Sequence, residues 1–114
     1  MGTGPDVVFP IVETAPHAAD LGITFYRGAM FPEQYRGALF YAQHGSWDRS
    51  TPIGARVMTT FAGTTESTPF AEGWNDGTGS YLGRPVDVAE LADGSLLVTD
   101  DQNGAIYRIT YQKP

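Results

Sequence analysis

The C-terminal part of the chain alternates short apolar runs with pairs of turn residues. Asp93-Gly94 and Asn103-Gly104 separate the apolar runs. Asp-Gly and Asn-Gly between such runs favour tight hairpins, because these residues tolerate the positive φ of the turn. In the last run, apolar side chains recur at every second position from Ala105 to Tyr111, which is the period of a strand with one buried face. The pattern therefore predicts an antiparallel meander of three strands, at Pro85–Leu91, Leu96–Thr99 and Ala105–Tyr111.

A looser copy of this meander precedes it. Gly37–Ala42 resembles Gly94–Thr99, and Gly54–Val57 resembles Gly104–Tyr107. The predicted strands of this first unit are Leu21–Tyr26, Gly37–Gln43, Ala55–Phe61 and a fourth near Thr68–Ala71. No stretch keeps a period of 3.6 residues, and only one helical turn is expected, around Phe31–Tyr35 after Pro32. The chain is therefore predicted to be all-β and built from two similar units.

One further strand candidate, Asp6–Glu13, lies at the opposite end of the chain from the incomplete second unit. Pro10 within it suggests an edge strand, because proline lacks the N–H that a central strand needs. We expect this strand to complete the second unit as its fourth, outermost strand. The predicted division of the single unit 1–114 is thus a completing strand at 6–13, a first blade at 17–72 and three strands of a second blade at 84–112.

Composition and charge exclude several classes of partner. The formal net charge is −6, and no cluster of lysine or arginine offsets it, so neither nucleic acid nor an anionic membrane is an expected partner. The chain has no cysteine, which excludes disulfides and leaves the redox compartment undetermined. No apolar run approaches the ~20 residues that span a bilayer, and the first residues lack the features of a signal peptide. We expect a soluble protein whose compartment the sequence does not give.

Three C-terminal segments resemble the closing blade of the glucose/sorbosone dehydrogenases, the soluble quinoprotein sugar dehydrogenases. These segments are Gly83–Val88, Asp93–Asp101 and Asn103–Ile109. Upstream, three more segments resemble the preceding blade of the sorbosone branch: Ala15–His17, Leu21–Tyr26 and Gln43–Arg49. The resemblance covers nearly the whole chain and implies two four-stranded blades of a β-propeller.

Members of this family are six-bladed propellers, often periplasmic, that oxidise aldoses with pyrroloquinoline quinone (PQQ) and hold calcium near the cofactor. By resemblance, Arg84 corresponds to an arginine that contacts the quinone carboxylates. His44 stands where some members carry a cofactor-contacting lysine, and a second arginine of the family is replaced by Val86. The catalytic histidine and the calcium-binding loop belong to earlier blades, so no catalytic residue and no metal ligand is assigned here.

The residues themselves leave two interpretations open for each cofactor-binding candidate. His44 is either a ligand or base facing the channel, or a loop histidine bonded to backbone. Arg84 either binds a carboxylate with two parallel hydrogen bonds or forms a packing salt bridge with an acidic neighbour. His17 is expected to be structural.

The other polar and aromatic candidates have simpler explanations. Asp100 and Asp101 lack the alternating oxygen ligands of a calcium loop, and stabilisation of a hairpin turn explains them better. Trp47 and Trp74 either stack on a sugar or pack between blades. Gly77-Thr78-Gly79 is no nucleotide loop, because no helix is expected after it.

The length of the chain predicts an assembly. Propellers have ~4–8 blades, and two blades alone leave an apolar face open on each side. Repeat units of this kind need further copies to bury those faces, and three copies would give six blades in a closed ring. We therefore expect a homotrimer that binds a small sugar-like or anionic ligand at its channel mouth. The alternatives are a PQQ-dependent aldose or sorbosone dehydrogenase, and a part of a longer enzyme with no role of its own.

Overall fold

Two antiparallel sheets make up the computed structural model, which describes residues 10, 12–14, 18–46, 54–75 and 80–112. Sheet 1 has the strand order β1-β2-β3-β4, and sheet 2 has the order β5-β6-β7. The strands of sheet 1 are β1 Asp20–Phe25, β2 Leu39–Gln43, β3 Arg56–Thr60 and β4 Thr68–Ala71. Those of sheet 2 are β5 Pro85–Glu90, β6 Leu96–Asp100 and β7 Ala105–Ile109. The all-β prediction is confirmed, and each strand lies where its apolar pattern placed it, with ends that differ by one or two residues at most.

A 3-10 turn, Glu33–Tyr35, lies in the connection from β1 to β2. Pro32 occupies its N-cap with φ −49°, which is the pre-set φ of proline at a helical start. The expected helical turn is therefore present. Within the described residues, no helix is long and apolar enough to cross a membrane.

The core lies between the two sheets. Among the residues that the structure describes, nine buried ones form it: Tyr26, Phe31, Ala38, Phe40, Ala42, Val57, Val88, Leu96 and Val98. Aromatic rings dominate the part under sheet 1, where Phe40 and Phe70 meet edge to face with ring centroids 4.7 Å apart. Edge-to-face contact brings the positive rim of one ring to the negative face of the other, which favours this geometry beyond burial alone.

The sheets approach each other most closely at their first strands, where β5 packs against β1 and β2. Gly22 of β1 lies directly over Asp87 of β5, and a Cβ added at Gly22 would come within 2.5 Å of the Asp87 Cα. Any side chain at position 22 would therefore push the two strands apart.

A buried tyrosine hydroxyl joins the sheets at the end of β1. Tyr26 Oη donates to the Gly94 carbonyl in the turn between β5 and β6, at 2.6 Å. The same oxygen accepts hydrogen bonds from the main-chain N–H groups of Met30 (3.1 Å) and Phe31 (3.2 Å). Tyr26 is fully buried, so these partners satisfy a polar group that has no access to water.

Each sheet also has a face turned away from the other. On sheet 1, the β1 side chains Leu21, Ile23 and Phe25 are 49%, 60% and 58% exposed. On β7, Ile106 and Arg108 are exposed while Ala105, Tyr107 and Ile109 are partly buried, which confirms the predicted alternation as far as Ile109. Tyr111, expected on the buried face, lies beyond the end of β7 and is exposed.

The predicted completing strand, Asp6–Glu13, falls mostly outside the described residues. Val12 and Thr14, which are described, line a hollow with residues of β1 and β2, and Thr14 Oγ1 donates to Asp20 Oδ2 at 2.5 Å. Pairing of this segment with β7, the blade count and the trimer stay predictions.

Candidate functional site

Both sequence-predicted binding residues lie at one edge of the two sheets. β1 and β5 begin at this edge, while β2 and β6 end there, because successive strands of a meander run in opposite directions. The chain segments that meet here are 18–20, 44–46, 81–84 and 100–103. We call this the loop edge.

Arg84, just before β5, is clamped onto the segment that follows β2. Its Nε donates to the His44 carbonyl at 3.1 Å, and its Nη2 donates to the carbonyls of Gly45 (2.9 Å) and Ser46 (3.3 Å). The guanidinium also lies over the Tyr81 ring, with Cζ 4.7 Å from the ring centroid, a distance at which a cation is attracted to the aromatic face. The arginine side chain therefore ties sheet 2 to sheet 1.

The clamp differs from the packing salt bridge that is one of the two interpretations of Arg84, while binding of a ligand carboxylate stays a prediction. The guanidinium contacts main-chain carbonyls, and among the described residues it forms no salt bridge. Its Nε–Nη2 side is turned to the loop, so a ligand carboxylate would have to approach from the side that carries Nη1. Parallel hydrogen bonds from Nε and Nη2 to a carboxylate would require the clamp to open.

His44, the residue after β2, reaches across to the turn that follows β6. Its Nε2 lies 2.8 Å from Asp101 Oδ1, and its main-chain N–H donates to the Ala19 carbonyl at 2.9 Å. The imidazole is 23% exposed and the Asp101 side chain 62%. The loop thus fixes the main chain of His44, while the carboxylate fixes its ring.

Asp100, at the end of β6, is 2% exposed and accepts five hydrogen bonds from groups that the structure describes. Oδ1 accepts from the main-chain N–H groups of Arg84 (3.0 Å), Gln102 (3.0 Å) and Asn103 (3.2 Å). Oδ2 accepts from Asn103 Nδ2 and Tyr107 Oη, each at 2.9 Å. Burial raises the pKa of the Asp100 carboxyl, but the hydrogen bonds outweigh burial and lower the pKa to about 2.

Stabilisation of the turn is therefore the role of Asp100, as the sequence predicted. Its neighbour Asp101 faces His44 instead, which the sequence did not indicate. Gly83 lies against the Asp100 carboxylate and the Trp74 ring, where a Cβ would come within 2.6 Å of Trp74 Cδ1. A larger residue at position 83 would displace the carboxylate from the turn.

Tyr81 is a member of the site that sequence reasoning missed. Its hydroxyl donates to the Ser46 carbonyl at 2.8 Å and lies 3.1 Å from Ser46 Oγ. A tyrosine three residues before Arg84 is the only trace of this role in the sequence. Neither spacing nor turn chemistry predicts that its ring packs under the guanidinium.

Of the remaining candidates, Trp74 is a packing residue, and the others lie outside the described residues. Trp74 packs against Tyr107, with ring centroids 5.6 Å apart. His17, Trp47 and Gly77–Gly79 lie outside the described residues. In the part of the chain that the structure describes, no three acidic, histidine or cysteine side chains are grouped so that they could hold a metal ion.

No protein family profile matches the chain. An uncharacterized protein of Borreliella burgdorferi is 44% identical over 108 residues, which is 90% of this chain and 28% of that protein.

Solved structures show which fold this chain shares with known proteins. The holo form of the pyranose dehydrogenase PQQ domain from Coprinopsis cinerea matches 84% of this chain with a TM-score of 0.64 and 25% identity. A calcium structure of a Trichoderma reesei protein of Carbohydrate-Active Enzymes Family AA12 matches 81% with a TM-score of 0.64 and 21% identity. The two sheets therefore have a sugar-dehydrogenase-like fold. The chain spans about a quarter of the length of the proteins it matches: 28%, 27% and 24%.

Proposed function

We propose that the chain is a propeller-forming module that binds a small sugar-like or anionic ligand at its loop edge. The observation that carries this proposal is the likeness of 84% of the chain to a PQQ domain. In this chain, the loop edge brings Arg84 into contact with the His44 carbonyl. Ligands of β-structures with several loops at one edge commonly bind among those loops, because a rigid sheet positions them.

Arg84 has two tasks in this proposal. Its clamp on the carbonyls of residues 44–46 holds the loop in place, and its charge favours an anionic group on the Nη1 side. PQQ carries carboxylates and would fit that charge. When bound, it would supply a two-electron acceptor for aldose oxidation. Among the described residues, no three acidic, histidine or cysteine side chains are grouped to hold calcium.

Quinone titration followed by intrinsic fluorescence tests the anion-binding part. We expect the wild-type chain to bind PQQ, and Arg84→Gln to weaken binding by about 10- to 100-fold, since a hydrogen bond to a charged group contributes about 1.5–3 kcal/mol. Arg108→Gln is the matched control, because Arg108 pairs with Asp93 on the outer face of sheet 2. Equal affinities for the two variants, or no binding by the wild type, would contradict the proposal.

Assembly into a homotrimeric ring is part of the same proposal. The stripe of Leu21, Ile23 and Phe25, which is about half exposed or more along β1, supports it. A contiguous exposed apolar strip of this kind is typical of a surface that another protein covers. In the ring, the outer face of sheet 2 of the next copy would cover it.

The alternative is an enzyme, a PQQ-dependent aldose dehydrogenase, formed by this chain or by a longer protein that contains it. The 25% identity to a pyranose dehydrogenase domain favours this alternative. Dye reduction with aldoses in the presence of PQQ and calcium distinguishes the two. Turnover would support the enzyme, whereas quinone binding without turnover would support the binding module.

A further inference from the structure

The contact between His44 and Asp101 determines which nitrogen of the imidazole carries the proton. An ionised carboxylate only accepts hydrogen bonds, so the 2.8 Å contact requires a proton on His44 Nε2. In the neutral imidazole the other nitrogen, Nδ1, is then an acceptor with a free lone pair. Among the described residues, no side chain or main-chain group donates to Nδ1.

The position of the ring is held from two directions. Arg84 bonds the His44 carbonyl and the Ala19 carbonyl accepts the His44 N–H, so the main chain is fixed on both sides of the residue. Asp101 then restrains rotation of the ring. An acceptor that is fixed before its ligand arrives costs less entropy on binding than a mobile one.

We infer that His44 Nδ1 is the acceptor for a hydroxyl group of a sugar-like ligand, and that Asp101 is the positioning residue that presents it. This inference rests on the proposed function and specifies it: Arg84 would serve an anionic group, while the His44–Asp101 pair would serve a hydroxyl. The pair joins the end of β2 in sheet 1 to the turn after β6 in sheet 2, so the acceptor exists only where the two sheets meet.

Nitrogen-15 NMR of the full 114-residue chain at neutral pH tests the inference, with D-glucose as the probe. In the wild type we expect a downfield ring N–H signal bonded to Nε2 of His44. Addition of glucose should shift the Nδ1 resonance of His44 and leave that of His17, the other histidine, unchanged. Asp101→Ala should abolish the Nε2–H signal and weaken glucose binding at least about 5-fold, the equivalent of one hydrogen bond.

Asp93→Ala is the matched control, since Asp93 is a half-exposed aspartate paired with Arg108 away from the loop edge. It should leave both the signal and glucose binding unchanged. The inference is overturned if glucose does not move the His44 resonances, if it moves those of His17 equally, or if Asp101→Ala binds glucose as the wild type does. PQQ titration of the same sample separates the two ideas: quinone binding without a glucose response contradicts this inference alone, and a glucose response without quinone binding contradicts the anion site alone.

Discussion

At the scale of single residues, the buried carboxylate of Asp100 links two segments of sheet 2 through its hydrogen bonds. The carboxylate joins the start of β5 to the turn after β6 through main-chain donors on both segments. Its pKa lies well below the ordinary value of 3.8 because those donors outweigh the effect of burial. The folded chain therefore binds this proton more weakly than the unfolded chain does.

The sign of the pH dependence follows from that difference. Above a pH of about 4, Asp100 is ionised in both states and its full stabilisation is present. As the pH falls from about 4 toward about 2, the unfolded state takes up the proton first and the stabilisation is lost. We expect Asp100→Asn to lower the free energy of unfolding by about 1–2 kcal/mol at pH 7. The lowered pKa of Asp100 sets the size of this effect, and solvent near the carboxylate screens part of it.

Urea unfolding at several pH values checks this expectation. The difference in unfolding free energy between the wild type and Asp100→Asn should shrink as the pH falls from 4 to 2. Glu66→Gln, at an exposed position, is the control and should unfold like the wild type. A difference that stayed constant over this pH range would show that Asp100 does not act through its charge.

The sequence predicts these residues only in part. The Asp-Asp-Gln-Asn-Gly run indicated a turn, and the structure gives Asp100 that role. It did not separate Asp100 from Asp101, because which carboxylate points into the turn depends on the pleat of β6. It placed Arg84 and His44 in one site by resemblance alone, and the contacts between them depend on how two sheets distant in sequence pack together.

At the scale of elements, the strands were predictable because each has a clear apolar run between glycine-rich turns. The packing of one sheet on the other was not, since it depends on single close approaches. Gly22 reads as an ordinary interruption of an apolar strand, yet its lack of a side chain permits the contact between β1 and β5.

Gly22→Ala tests that contact. A Cβ at this position would overlap the Asp87 backbone, and overpacking of this kind costs about 1–3 kcal/mol. We expect a lower midpoint in chemical denaturation. Thr24→Ala on the same strand is the control, and a Gly22→Ala midpoint equal to that of Thr24→Ala would mean that β1 does not press on β5.

Tyr26→Phe tests the second link between the sheets. The ring would still fill its place in the core, but the Gly94 carbonyl and two N–H groups would lose their partner. Buried groups left unpaired cost about 1–3 kcal/mol. Thermal unfolding should show a lower melting temperature for Tyr26→Phe and an unchanged one for Tyr111→Phe, whose side chain is exposed. Equal melting temperatures for the two variants would mean that the Tyr26 hydroxyl does not stabilise the fold.

At the scale of the whole molecule, the likeness in fold covers most of the chain but about a quarter of each matched protein. In the proposed ring, further copies of the chain would cover the sheet faces that this chain leaves exposed. Light scattering after size exclusion should then give a mass three times the 12.3 kDa of the chain. A monomer would contradict a ring built from copies of this chain.

The completing strand gives a second test of the assembly. Deletion of Met1–Glu13 should abolish the trimer if this segment pairs with β7 of its own or a neighbouring copy. If the shortened chain still forms a trimer, the segment Met1–Glu13 does not hold the assembly together.

The close approach at Gly22 also bears on the geometry of any ring. The two sheets touch at their first strands, β1 and β5. In a ring of such sheets, the angle between neighbouring sheets determines how many of them close the ring. Because Gly22 lies directly against Asp87 of β5, a side chain at position 22 would change the angle between the two sheets as well as weaken their contact. In the proposed ring, the residue at position 22 would therefore help to determine the number of blades.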